Sequence, residues 1–111
     1  MIKSSSWFDM ELNNGKMLVS VKGEIDHHSA VSMRTGIDAK IFEHRPKEFV
    51  FDLSEVNFMD SSGLGLIMGR YSLVKELGGE MKVLNPCKSV LRVLELAGFN
   101  RLIKIEVSRD A

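Results

Sequence analysis

The chain has 111 residues, of which 44% are hydrophobic and 27% charged, and its fifteen basic side chains balance fifteen acidic ones for a formal net charge of zero. That length suits one domain with a single core, and the charge balance argues against nucleic acid, whose phosphate backbone calls for a basic excess. One cysteine, Cys87, excludes an internal disulfide and fits a reducing cytoplasm; no apolar run nears the roughly twenty residues of a membrane span, and residues 1–7 lack the apolar stretch of a secretory signal.

Ordered elements are expected between the two ends of the chain, with residues 108–111 a short polar tail. Residues 7–12 read as a strand, Asn13-Asn14-Gly15-Lys16 carries hairpin-turn chemistry, and residues 17–23 alternate as a second, antiparallel strand. Over residues 29–44, Ala30, Met33, Ile37 and Ile41 recur on one helical face, with Asp26 or Ser29 as cap and Pro46 as stop. The apolar run at residues 49–53 reads as a buried strand. Leu64, Ile67, Met68, Tyr71 and Val74 then recur at helical spacing within residues 62–77, and Gly78-Gly79 ends that helix. Residues 80–84 follow as a strand and Asn85-Pro86 as a turn. A third helix is expected over residues 87–97 with Cys87, Val90, Leu91 and Leu94 inward, and a last strand over residues 102–107. This order predicts an α/β fold: a mostly parallel sheet with an N-terminal β-hairpin, right-handed crossovers and helices packed as a layer. A single domain is expected to fill residues 1–111, with its core at residues 7–107.

Phe58-Met59-Asp60-Ser61-Ser62-Gly63-Leu64-Gly65 sets two hydroxyls beside a carboxylate where the strand pattern turns into a helix pattern. A helix start offers unpaired backbone N–H groups and the positive end of the macrodipole, so a serine there can carry a phosphate without unfolding its domain. Asp60, Ser61 and Ser62 are also good N-cap types, and capping alone would account for their presence.

Asp26-His27-His28 is expected in the loop after the second strand, with Asp26 capping the first helix and both histidines on the loop surface. Adjacent histidines point apart, and neither H-x-x-x-H nor C-x-x-C spacing occurs, so no metal site is expected. The G-x-S-x-G elbow of serine hydrolases is missing, as are nucleotide-binding glycine fingerprints. Loops leaving the carboxyl ends of parallel strands lie along one sheet edge, so Asp26-His27-His28 and Asp60-Ser61-Ser62-Gly63 are expected to share a surface. On the helix that follows, Ser62, Gly65, Leu66, Gly69 and Leu73 fall opposite the core stripe, and Gly65, Leu66 and Gly69 extend the candidate partner surface.

Gly23-Glu24-Ile25-Asp26-His27-His28-Ser29-Ala30, with the stretch from Phe58 through Gly65 and on through Leu66-Ile67-Met68-Gly69-Arg70-Tyr71, resembles the anti-anti-sigma branch of the STAS family. The resemblance covers nearly the whole chain in the same order of elements. It implies a regulator that is not an enzyme and uses no cofactor, monomeric when free. Unphosphorylated, such a protein binds a dimeric anti-sigma factor that is also an ATP-dependent serine kinase, and so frees a sigma factor. The serine directly after the motif aspartate, here Ser61, is the implied phosphoacceptor; a metal-dependent serine phosphatase is the implied reverse step. A sporulation sigma factor of the F type is the implied output, a stress-response paralogue the alternative within the family. Outside it, the alternative is a small-ligand or catalytic domain using Ser61 with His27 or His28.

Overall fold

Asn14 and Gly15, both at positive φ (51° and 81°), make the tight turn between β2 (Phe8–Asn13) and β3 (Lys16–Ile25), a geometry whose twist matches that of the paired strands. The computed structural model describes the backbone of residues 2–4 and the whole of residues 7–108. Before the hairpin runs β1 (Ile2–Ser4); after it come α1 (His27–His44), β4 (Glu48–Met59), α2 (Ser61–Glu76), β5 (Glu80–Leu84), α3 (Lys88–Leu96), a 3-10 turn (Phe99–Arg101) and β6 (Lys104–Glu106). Among the described residues the six strands lie in sequential order, β1-β2-β3 antiparallel and β3 to β6 parallel.

Register builds the core. Met10, Val19, Phe51 and Val83 lie opposite one another across four strands, as do Leu12, Met17, Phe49 and Met81. These rows share one cluster with Ile37 and Ile41 of α1, Ile67 and Val74 of α2 and Leu94 of α3, so all three helices cover the same sheet face. The opposite face carries the row Glu11, Leu18, Val50, Lys82 and Lys104. There Lys82 bridges Glu48 at 3.5 Å and Glu106 at 3.3 Å, as suits a hydrated surface.

Several boundaries differ from the expectation. β1 adds an unexpected edge strand at an end thought to be irregular, and the polar tail beyond Ser108 lies outside the described residues. β4 continues six residues past Leu53 to Met59. Its polar residues Ser54, Glu55 and Asn57 hide the strand, but pairing with β3 continues through irregularities at Ser20/Lys22 and Gly23/Glu24, where Gly23 adopts φ +86°. The first helix begins at His27 rather than Ser29, so both histidines occupy its first turn rather than a loop. Cys87 is the N-cap of α3, not its first turn, and residues 102–103 belong to the turn before a shorter β6.

The face of α2 is the main correction. Its buried residues are Gly63, Leu66, Ile67, Arg70 and Val74, while Leu64, Met68 and Tyr71 are only half-buried. The core stripe is thus turned by about one residue step from the predicted one, because α2 packs against α1 as well as the sheet. Arg70 shows the consequence: it is 6% exposed, with Nε 2.7 Å from Asp38 Oδ1 of α1 and Nη1 3.4 Å from the Leu66 carbonyl oxygen. Burial pushes its pKa down, and the Asp38 carboxylate opposes that shift.

Candidate functional site

β3 and β4 pair in parallel to their last residues, Ile25 opposite Met59, and the Asp60 N–H donates to the Ile25 carbonyl at 3.2 Å. The chain leaves both strands at the same sheet edge, so α1 and α2 start side by side, each behind an aspartate cap. Asp26 Oδ1 accepts from the Ser29 N–H at 2.9 Å, and Ser29 Oγ accepts from the Asp26 N–H at 3.0 Å, a reciprocal capping box. Ser29, one of the two expected caps, is therefore the third residue of the helix. Asp60 Oδ1 accepts from the Ser62 N–H at 2.8 Å.

The Ser29 backbone N–H, helped by its hydroxyl and by His28, holds the Asp26 carboxyl below its ordinary pKa. A depressed folded-state pKa stabilises the fold above the unfolded value, about 3.9, and that contribution is lost as pH falls through the folded value. An asparagine in place of Asp26 would cap without titrating. Melts at pH 6 and pH 3 should therefore show the wild type losing its advantage over Asp26→Asn at the lower pH; a constant difference would show that Asp26 does not titrate with folding.

Ser61 is the first residue of α2 and is exposed, whereas Ser62 is half-buried. Gly63 is buried, and a Cβ there would overlap the Met59 side chain and come within 3.1 Å of Ile25 Cγ2. Its place is steric: it lets α2 start against the ends of β3 and β4, and, expected on the partner surface, it is buried rather than exposed. Gly63→Ala should cost about 1–3 kcal/mol by overpacking, read as a lower denaturation midpoint. Gly65 is exposed and Gly69 half-buried, and a Cβ on either would meet nothing within 4 Å. Each costs the helix up to about 1 kcal/mol relative to alanine, with no contact among the described residues that needs it.

Leu66, expected on the outer face, is 3% exposed. It forms part of a groove of about 240 Å³ between the first turns of α1 and α2, lined by His27, Ala30, Val31, Arg34, Ser62, Gly65 and Leu66. Thus His27, Ser62, Gly65 and Leu66 come together, while Gly69 lies farther along α2. His28 is exposed and sits edge-on to Trp7, with ring centroids 5.8 Å apart. Ala30, Val31 and Arg34 were missed as site residues; their signal is that Val31 and Arg34 flank the Ala30-Met33-Ile37 stripe on α1. Among the described residues no cluster of three metal-ligating side chains occurs. Asp26 is engaged in capping rather than orienting an imidazole, as a catalytic triad would require. Among the described residues no helix is long and apolar enough to cross a membrane.

Two aspartate-capped helix starts thus lie exposed side by side at one edge of a one-faced α/β layer. The STAS domain family matches residues 8–111, and the chain belongs to that family. Within it, the anti-sigma F factor antagonist of Paenibacillus polymyxa is 38% identical over 97 residues, 87% of this chain and 83% of the relative. The anti-sigma-B factor antagonist of Bacillus subtilis (strain 168) is 28% identical over 102 residues, 92% of each chain. The solved structure of the anti-sigma factor antagonist SpoIIAA in its unphosphorylated form superposes with a TM-score of 0.79 at 27% identity, covering 91% of this chain and 89% of SpoIIAA. The phosphorylated form of Bacillus SpoIIAA gives 0.72 at 26% identity, covering 91% and 92%. The chain groups with these antagonists, which are regulatory binding proteins and not enzymes.

Proposed function

We propose that this protein is an anti-sigma factor antagonist whose unphosphorylated form binds a dimeric kinase anti-sigma factor and frees a sigma factor, and that phosphorylation of Ser61 ends the binding. The observation that carries this reading is the place of Ser61: exposed, first in α2, and beside the start of α1 with Asp26 and His27. A phosphate on Ser61 meets the positive end of the α2 macrodipole, which favours an anion within the first turn. The free domain therefore tolerates the modification, and the penalty falls on the complex. The related SpoIIAA, known in unphosphorylated and phosphorylated forms, supports a switch of this kind.

A sporulation sigma factor of the F type is the favoured output, because the sigma-F relative is 38% identical and the sigma-B relative 28%. A metal-dependent serine phosphatase resets the switch, and the protein works as a cytoplasmic monomer when free, with one domain over residues 1–111 and no cofactor. The test is incubation with the purified cognate kinase anti-sigma factor and ATP, followed by intact mass and site mapping. One phosphate on Ser61 is expected; phosphate on Ser62, with Ser61→Ala still modified, would overturn the assignment. Sigma-F or sigma-B release from preformed complexes identifies the output.

A further inference from the structure

The groove between α1 and α2 has a floor and a rim of different chemistry. Ala30 and Leu66 form a buried apolar floor, Val31 at 48% exposure stands at its edge, and Gly65 leaves the α2 wall without a side chain. At about 240 Å³ the space is smaller than pockets for drug-sized ligands and suits a side chain better than a metabolite. Arg34 stands on the α1 wall, exposed, and the nearest acidic residue of that helix, Asp38, is already held by Arg70. Among the described residues Arg34 has no ion-pair partner, so the groove pairs an apolar floor with an uncompensated cation.

We propose that this groove receives one aliphatic side chain of the anti-sigma factor, with a carboxylate one or two residues away in the same segment pairing with Arg34. The proposal rests on the antagonist reading above and adds Val31 and Arg34 to the binding surface. It explains why helix-weakening glycine stands at position 65: any larger side chain fills the space the partner needs. An apolar anchor in a dry pocket supplies affinity, and the charge at its rim selects partner and orientation.

The test uses the full chain and the purified cognate kinase anti-sigma factor, with affinity from titration calorimetry, phosphorylation from intact mass and folding from thermal melts. Gly65→Ala should melt at or above the wild-type temperature yet bind about tenfold more weakly or worse. Arg34→Glu should bind at least about tenfold more weakly while its melt shows it folded at the assay temperature, and Arg92→Glu on α3 binds as wild type. If the wild type is bound and phosphorylated and both groove variants bind equally well, the groove assignment is wrong and the antagonist function stands. A wild-type chain neither bound nor phosphorylated sinks the function and the groove together.

Discussion

Ser61→Asp should weaken binding to the anti-sigma factor by about a hundredfold, and a phosphate on Ser61 by about a thousandfold, with little change in the melting temperature. The asymmetry follows from where Ser61 sits. In the free protein it is exposed at the first turn of α2, so an added charge stays hydrated and gains from the helix dipole, which offsets repulsion from the Asp60 cap. In the complex the same charge is brought against a partner surface. One like-charge contact at about 4 Å costs roughly 4 kcal/mol at an effective dielectric of 20, which is about a thousandfold in affinity. The shorter aspartate side chain stops farther from the partner, and at about 6 Å the same relation gives roughly 2.8 kcal/mol, about a hundredfold; the phosphate reaches the closer distance with at least one full charge facing the partner. No rearrangement of the domain is required. Ser61→Ala should bind like the wild type and remain bound in ATP, since it cannot be switched off. Ser62→Ala separates the two hydroxyls: its N–H is held by Asp60 and its side chain borders the groove, so it should still be phosphorylated on Ser61. Titration calorimetry with and without ATP reads all four proteins, and equal affinity of Ser61→Asp and wild type would remove Ser61 as the switch.

What could be read in advance divides along physical lines. The two helix starts were legible because N-capping is local chemistry, although Ser29 stood beside Asp26 and Ser61 and Ser62 beside Asp60 as equal candidates for the cap; their adjacency was legible because parallel strands deliver their carboxyl ends to one edge. The second half of β4 was not, since Ser54, Glu55 and Asn57 break its apolar pattern and only pairing with β3 holds it extended. The burial of Leu66 and Arg70 also depends on a second element. Apolar residues surround much of α2, so its periodicity alone allows more than one core face; α1 selects the one that carries Arg70, because Asp38 is there to meet it. The groove was invisible for the same reason, being formed by the flanks of two helices rather than by either stripe. β1, with three residues, is too short for any period to show.

Asp38→Ala should lower stability by about 2–3 kcal/mol, a larger loss than either cap or a surface ion pair would give. The Arg70 side chain is 7% exposed and that of Asp38 29%, so the pair is buried on one side and partly wet on the other. Removing one partner of a fully buried pair costs about 3–5 kcal/mol because the remaining charge loses its compensation; access of water to Asp38 places this pair just below that range. Without Asp38, Arg70 keeps its desolvation and the repulsion of Arg34, the two influences that already lower its pKa beside the opposing carboxylate. For a domain of this size the loss corresponds to a drop of about 8–15 °C in melting temperature. Replacing both partners, Asp38→Leu with Arg70→Met, removes the charges together and should recover most of the loss, since apolar replacement of buried pairs is often neutral or better. Arg34→Ala in the Asp38→Ala background should recover a smaller part. Thermal melts of the wild type and the three variants read these differences, and an Asp38→Ala protein that melts with the wild type would show that Arg70 finds compensation elsewhere. The same pair ties α1 to α2 one turn below Leu66, so its loss also loosens the groove walls. Asp38→Ala should therefore bind the anti-sigma factor less tightly even well below its melting temperature, and the double variant should bind more tightly than the single one.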